Sequence, residues 1–156
     1  MEQAAIQIIE AERIHRAHMA AFGYPQPPRA DSIIFAIQEF AEWLDAAITR
    51  ANPAYKRNND KEDPEPVMEM GDMLSMIATA ILDGNKAEPS VQDIDLRNRI
   101  SYLLLMLATS VSKQETTYLE HTLDAAIRIC TMMHGQSPLS AQAMTHAKIR
   151  NKWAEG

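Results

Sequence analysis

The sequence predicts an all-α protein, a compact bundle of about five to six helices, on three observations. Glycine is scarce, five in 156 residues, while alanine, leucine, isoleucine, methionine and glutamate, which favour helices, are common. Apolar residues recur at helical spacing in several separate stretches, and no segment alternates as a strand does. Breaks carrying proline or glycine fall between those stretches. The length suits one domain over residues 1–156 around one core.

Residues 2–21 read as the first helix, with a diffuse apolar face. "FGYPQPPRAD" ends it, because Gly23 can close a helix and Pro25, Pro27 and Pro28 cannot continue one. Asp31 or Ser32 suits the N-cap of a second helix, residues 33–50, whose apolar stripe is Ile33, Ile37, Phe40, Leu44 and Ile48. "NPAYKRNNDKEDPEP" reads as an exposed loop. Residues 67–83 form a third helix, apolar almost all the way round, and "GNKAEPS" ends it. A fourth, residues 91–112, aligns Leu96, Ile100, Leu103, Leu104, Leu107 and Val111, the strongest amphipathic pattern in the chain. After "KQE" a fifth aligns Leu119, Leu123, Ala126, Ile127 and Cys130, and a more polar sixth covers residues 139–154. "LDAAI" occurs at Leu44–Ile48 and again at Leu123–Ile127, by degenerate duplication or by chance.

A net charge of −6 argues against nucleic acid as a partner, since phosphates need a basic surface. Cys130 is the only cysteine, which excludes an intrachain disulfide and a cysteine-based zinc site. The N-terminus lacks the basic start and apolar run of a signal peptide, and no apolar run approaches the ~20 residues of a membrane span. A cytoplasmic protein without a membrane partner is expected. The ten methionines read as filling for an irregular core.

Two acidic pairs carry the chemistry. Glu39 with Glu42, and Glu69 with Asp72, are each three apart and so share a helix face. The first pair lies opposite the apolar stripe of its helix and by itself reads as wet surface. The second sits among Met68, Met73 and Met76, with no lysine or arginine between Val67 and Leu82. Taking an unpaired carboxylate out of water costs several kcal/mol, so a basic side chain or a cation must come to it. Four carboxylates from two packed helices are hard oxygen ligands of the kind Mg²⁺ or Mn²⁺ prefers. A di-iron site wants Glu-x-x-His motifs and zinc wants histidine or cysteine, and neither stands beside these acids. His15 and His18 form an i,i+3 pair without a further ligand nearby in sequence, and read as polar-contact residues.

Glu39-x-x-Glu42, the 26 residues from 43 to 68, and Glu69-x-x-Asp72 together resemble the ExxE…ExxD signature of the MazG-like, all-α nucleoside triphosphate pyrophosphatase superfamily. "EFAEWLDA" and "EMGDML" resemble the family's two motif helices, "HRAHMAAFGYP" the turn before the first motif, and "KIRNKW" its closing basic element. The likeness covers residues 10–83 well and 145–153 weakly, and residues 84–140 do not align. Many members carry an acid directly before the first motif glutamate, where this chain has Gln38.

The resemblance implies a MazG-like bundle in which Glu39, Glu42, Glu69 and Asp72 hold Mg²⁺, with Mn²⁺ an alternative, and the metal holds a (deoxy)nucleoside triphosphate. Water then attacks the α-phosphorus, releasing the monophosphate and pyrophosphate, with Glu39 or Glu42 doubling as general base. Lys148, Asn151 and Lys152 share a helical face that could bind phosphate, although a solvated terminal helix explains them as well. Arg29 and the lysines of the loop are further phosphate candidates with nothing to choose among them, and Trp43, Phe22 and Tyr24 are candidate stacking surfaces for the base. The apolar wrap of residues 67–82 and the leucine face of the fourth helix, with the family's habit, imply a homodimer or homotetramer. A reading of a different class is a non-catalytic helical oligomerisation or regulatory protein with a vestigial metal site, which Gln38 and the unaligned helices favour.

Overall fold

The computed structural model describes residues 2–50, 52, 65–82 and 86–154, apart from the side chains of Lys152 and Trp153. Most of the expected loop, residues 53–64, and residues 83–85, the expected end of the third helix and the start of the break after it, lie outside that description. The described chain is all-α, as expected, with helices α1 (Gln3–Ala21), α2 (Arg29–Leu44), α3 (Pro66–Ile81), α4 (Ile94–Lys113), α5 (Thr116–His134) and α6 (Pro138–Ala154). Among the described residues no helix is long and apolar enough to cross a membrane. Contacts gather into two compact units, Met1–Ser90 and Val91–Gly156.

Local chemistry explains the helix ends. Gly23, at φ 74°, closes α1: its amide donates to the Ala20 carbonyl, and the Tyr24 amide reaches back to Met19. Helix α2 starts four positions earlier than the sequence suggests, because extended Pro28 precedes the first turn and its carbonyl accepts from the Ser32 amide and hydroxyl. Asp31 is therefore not the cap. Its carboxylate instead accepts from the Ser90 amide at 3.0 Å and hydroxyl at 2.8 Å, tying residue 90 to the start of α2. Pro66 opens α3, where its missing N–H costs nothing. Asp93 caps α4 through the Asp95 and Leu96 amides, and left-handed Gln114 and Gly135 end α4 and α5.

Beyond Leu44, α2 widens into a π-helical turn, Asp45–Thr49, in which the Arg50 amide donates to the Asp45 carbonyl at 2.8 Å. The second "LDAAI" lies inside the regular α5. The same five residues thus take different backbones in the two places, which speaks against a structural repeat.

In the first unit α3 packs on both α1 and α2. The Arg29 Nε donates to the Ala80 carbonyl at 2.9 Å, while Glu39 at the other end of α2 meets the start of α3, so these two helices are antiparallel. Glu12 meets Ser75 and Arg16 meets Thr79, both 63 residues on, so α1 and α3 are parallel.

Small residues make the close packing. Ser32 and Ala36 of α2, and Ala78, Thr79 and Ala80 of α3, are buried. Ile33, Ile37, Phe40 and Ile48 of the expected stripe are exposed within the chain, Ile33 by 49%. This corrects the reading of the stripe as the inward face, and with it the placing of Glu39 on open surface. Helices approach closest where side chains are smallest, so the Ser32–Ala36–Glu39 face of α2 turns toward α3. Ile33, Ile37 and Phe40 line an open apolar groove of about 640 Å³, with Met73, Ile77 and Ile81 on its far side.

The second unit repeats the pattern. Here α4 packs on α5 through buried Leu96, Ser110 and Ala125, while Leu119, Leu123 and Ile127 stay exposed. The α5 face that turns inward is Tyr118, Thr122, Ala125 and Ile129, not the aligned leucines.

Candidate functional site

The antiparallel pairing of α2 with α3 brings the C-terminal half of one motif helix against the N-terminal half of the other. Carboxylate oxygens of Glu39, Glu69 and Asp72 consequently lie within 4.8 Å of one another. Glu39 and Glu69 are half-buried and Asp72 is exposed. Burial, and then the charges of Glu42, Asp72 and Glu69, hold the Glu39 carboxyl above its ordinary value. Among the described residues no lysine, arginine or histidine forms an ion pair with any of the three.

Glu42 stands outside this group. It is exposed and accepts a 3.1 Å hydrogen bond from the Gln38 amide. Three of the four expected ligands therefore converge; the fourth lies near enough to Glu39 for its charge to act on that carboxyl, but it does not join the group that Glu39 makes with Glu69 and Asp72. Trp43 is half-buried and stacks on Phe40 at 5.7 Å. Phe22 is exposed with the His18 ring on its edge at 5.0 Å. Arg29 is engaged with the end of α3 through Ala80. Lys148 and Asn151 are exposed on α6, in the second unit, and the Lys152 side chain lies outside the described residues.

Three carboxylates, with no histidine or cysteine in the group, are the hard oxygen ligands of Mg²⁺ or Mn²⁺ and not a zinc set.

An arrangement the sequence reading missed lies beside the acids. Glu12 of α1 is 5% exposed, and its carboxylate accepts from the Ser75 hydroxyl at 2.9 Å, the Thr79 hydroxyl at 3.0 Å and the Arg16 Nε at 2.6 Å. The same Nε also reaches the Thr79 oxygen at 3.1 Å. Burial acts to raise this acid, and the hydrogen bonds from Ser75, Arg16 and Thr79 outweigh it, so its carboxyl sits below the usual carboxylate range. The signal was an i,i+4 Glu–Arg pair in α1 and an i,i+4 Ser–Thr pair in α3. Each is common on helices, and only the tertiary pairing gives them meaning.

The network borders an open groove of about 790 Å³. His15, Arg16, Tyr24 and Phe35 line it, together with Asp72 and Met76 of α3. Asp72 thus faces both the acid group and this groove.

No family model matches the chain, no curated protein matches it, and no solved structure does.

Proposed function

We propose that this chain is a divergent MazG-like nucleotide pyrophosphohydrolase, which cleaves a (deoxy)nucleoside triphosphate to the monophosphate and pyrophosphate with Mg²⁺ or Mn²⁺. One observation carries the reading. Glu39, Glu69 and Asp72 converge within 4.8 Å without a cationic side chain among the described residues to pair them. Such a group repels itself and also repels a polyphosphate, and a divalent ion relieves both.

Glu39, Glu69 and Asp72 would hold the metal. Bound there, it supplies the positive charge that lets the triphosphate approach and that stabilises charge developing on the phosphoryl oxygens. The rest falls to the chain. Glu42, which accepts from the Gln38 amide and is not in the ligand group, would accept the proton of the attacking water. The water oxygen bonds to the α-phosphorus as the bond from that phosphorus to the α–β bridging oxygen breaks, and pyrophosphate leaves with the electron pair. The groove beyond Asp72, with Tyr24 and Phe35 on its walls, offers room for base and sugar. Phe22 is less suited to stacking because His18 already meets its ring.

The apolar groove of Ile33, Ile37, Phe40, Met73, Ile77 and Ile81 supports a homodimer or homotetramer as the working form. Light scattering on the purified chain tests that.

One observation favours the non-catalytic alternative: Glu42 does not join the group that Glu39 makes with Glu69 and Asp72. A nucleotide panel with pyrophosphate detection, in Mg²⁺ and in chelator, separates the two readings. Metal-dependent pyrophosphate release that Glu69→Ala abolishes supports the enzyme. Equal null results for wild type and Glu69→Ala over the whole panel remove it.

A further inference from the structure

The hydrogen bonds of Arg16 raise a question its ion pair does not answer. A guanidinium has five N–H donors in a planar fork. Here one of them, on Nε, serves both Glu12 and Thr79, and neither Nη donates a hydrogen bond to any described residue. The side chain is held nearly out of solvent, 14% exposed, yet it lines the same groove as Asp72. The geometry that fixes it is rigid: Glu12 is buried and itself held by Ser75 and Thr79 from α3.

We propose that Arg16 is a polyphosphate-binding residue, presenting its Nη edge to phosphoryl oxygens of a nucleotide whose metal is held at Asp72. The inference rests on the function proposed above and adds to it a substrate-binding group on α1. Three features support it. Asp72 and Thr79 are seven residues apart on α3, about 10 Å of helix rise, a gap that a metal ion and a phosphate chain can fill between them. The Arg16 side chain runs back to Glu12, four residues earlier, and because α1 and α3 are parallel this carries it toward Asp72. The Glu12 carboxylate orients the fork from behind while the opposite edge stays available, and a planar guanidinium matches phosphate oxygens two at a time. The site then answers the negative charge of a triphosphate from two sides, the ion at the acids and the guanidinium on the neighbouring helix.

The test uses the full chain and two probes. Mn²⁺ uptake is read from the loss of the free-ion electron paramagnetic resonance signal, and binding of inorganic tripolyphosphate, in saturating Mn²⁺, by calorimetry. Wild type, Arg16→Gln and Arg16→Lys are compared, with thermal melting alongside. The expected result is Mn²⁺ uptake within about twofold of wild type in both variants. Tripolyphosphate binding weakens about tenfold or more in Arg16→Gln, and by less in Arg16→Lys, which keeps the charge and loses the fork. Should Arg16→Gln fail to fold, Arg16→Lys carries the comparison, since its ammonium still meets Glu12. Lower melting temperatures with wild-type tripolyphosphate affinity overturn the inference and leave Arg16 a structural partner of Glu12. Failure of wild type to take up Mn²⁺ overturns the metal reading itself, and this inference with it.

Discussion

Wild type and Glu39→Gln should exchange their order of stability between metal-free and metal-loaded conditions. Two unit charges 4.8 Å apart repel by about 0.9 kcal/mol in water and about 3.5 kcal/mol at an effective dielectric of 20. Within the group Glu39 faces two such partners, apart from Glu42 on its own helix, but it is only half-buried, so screening places the total for the two near the aqueous end, about 2 kcal/mol. In chelator, Glu39→Gln should therefore melt higher than wild type by about 4–8 °C, at roughly 2–4 °C per kcal/mol for a chain of this size. The gain depends on pH. The folded-state carboxyl of Glu39 lies above its usual 4.5, so the folded protein holds the proton longer than the unfolded one. Wild type thus loses stability as pH rises from 4.5 through the folded value, and the advantage of glutamine grows over that window and is complete above it. With Mg²⁺ at about a hundred times its dissociation constant, wild type should gain about 2.7 kcal/mol, and the variant, short of one ligand, much less. Urea or thermal melts in chelator and in Mg²⁺ read both effects. A variant that is less stable than wild type in chelator, or that gains as much from Mg²⁺, refutes the account of these acids as a mutually repelling group awaiting a cation.

Thr79→Val keeps the shape of a fully buried side chain and removes the hydroxyl that joins Glu12 and Arg16. It should cost about 1–3 kcal/mol in a denaturant titration, with Mn²⁺ uptake retained. Acid unfolding tests Glu12 itself. Its carboxyl is held below 4.5, so its contribution is complete above that pH and is lost as pH falls through the folded value, and Glu12→Gln should flatten that limb of the stability curve. Gly71→Ala in α3 meets no atom within 4 Å of the added Cβ and should raise stability by about 0.5–1 kcal/mol, measured by the same melts.

Secondary structure was legible because it is written in local signals. The scarcity of glycine, the helical spacing and the breaks around Gly23, Pro66 and Gly135 place every helix to within a few residues. Packing was less legible, for a physical reason. Hydrophobic periodicity reports which face avoids water, and a stripe such as Ile33–Ile37–Phe40 stays exposed in a lone chain when smaller residues allow a closer approach elsewhere. Ser32, Ala36, Ala78 and Thr79 carry little hydrophobic signal, yet they decide which way α2 and α3 turn. That choice also decides the candidate site, because it rotates Glu39 off the open surface and against Glu69 and Asp72.

One buried and one half-buried acid in the first unit meet the same problem with different outcomes, and the contrast favours a cation. Glu12 is the more buried, and the chain gives it an arginine and two hydroxyl donors, which hold its proton affinity below normal. Glu39 receives no such donors among the described residues. It receives carboxylates instead, and its proton affinity is pushed the other way. A fold that can satisfy one buried acid so completely is not short of means to satisfy another a few ångströms of helix away. Three converging carboxylates without a basic partner among the described residues repel one another and lower stability while metal-free, a pattern found where function needs a strained or charged arrangement that folding alone would not select. The opposite signs of the two shifts make this testable. Acid should weaken the Glu12 contribution and relieve the Glu39 repulsion, and only the second should respond to Mg²⁺.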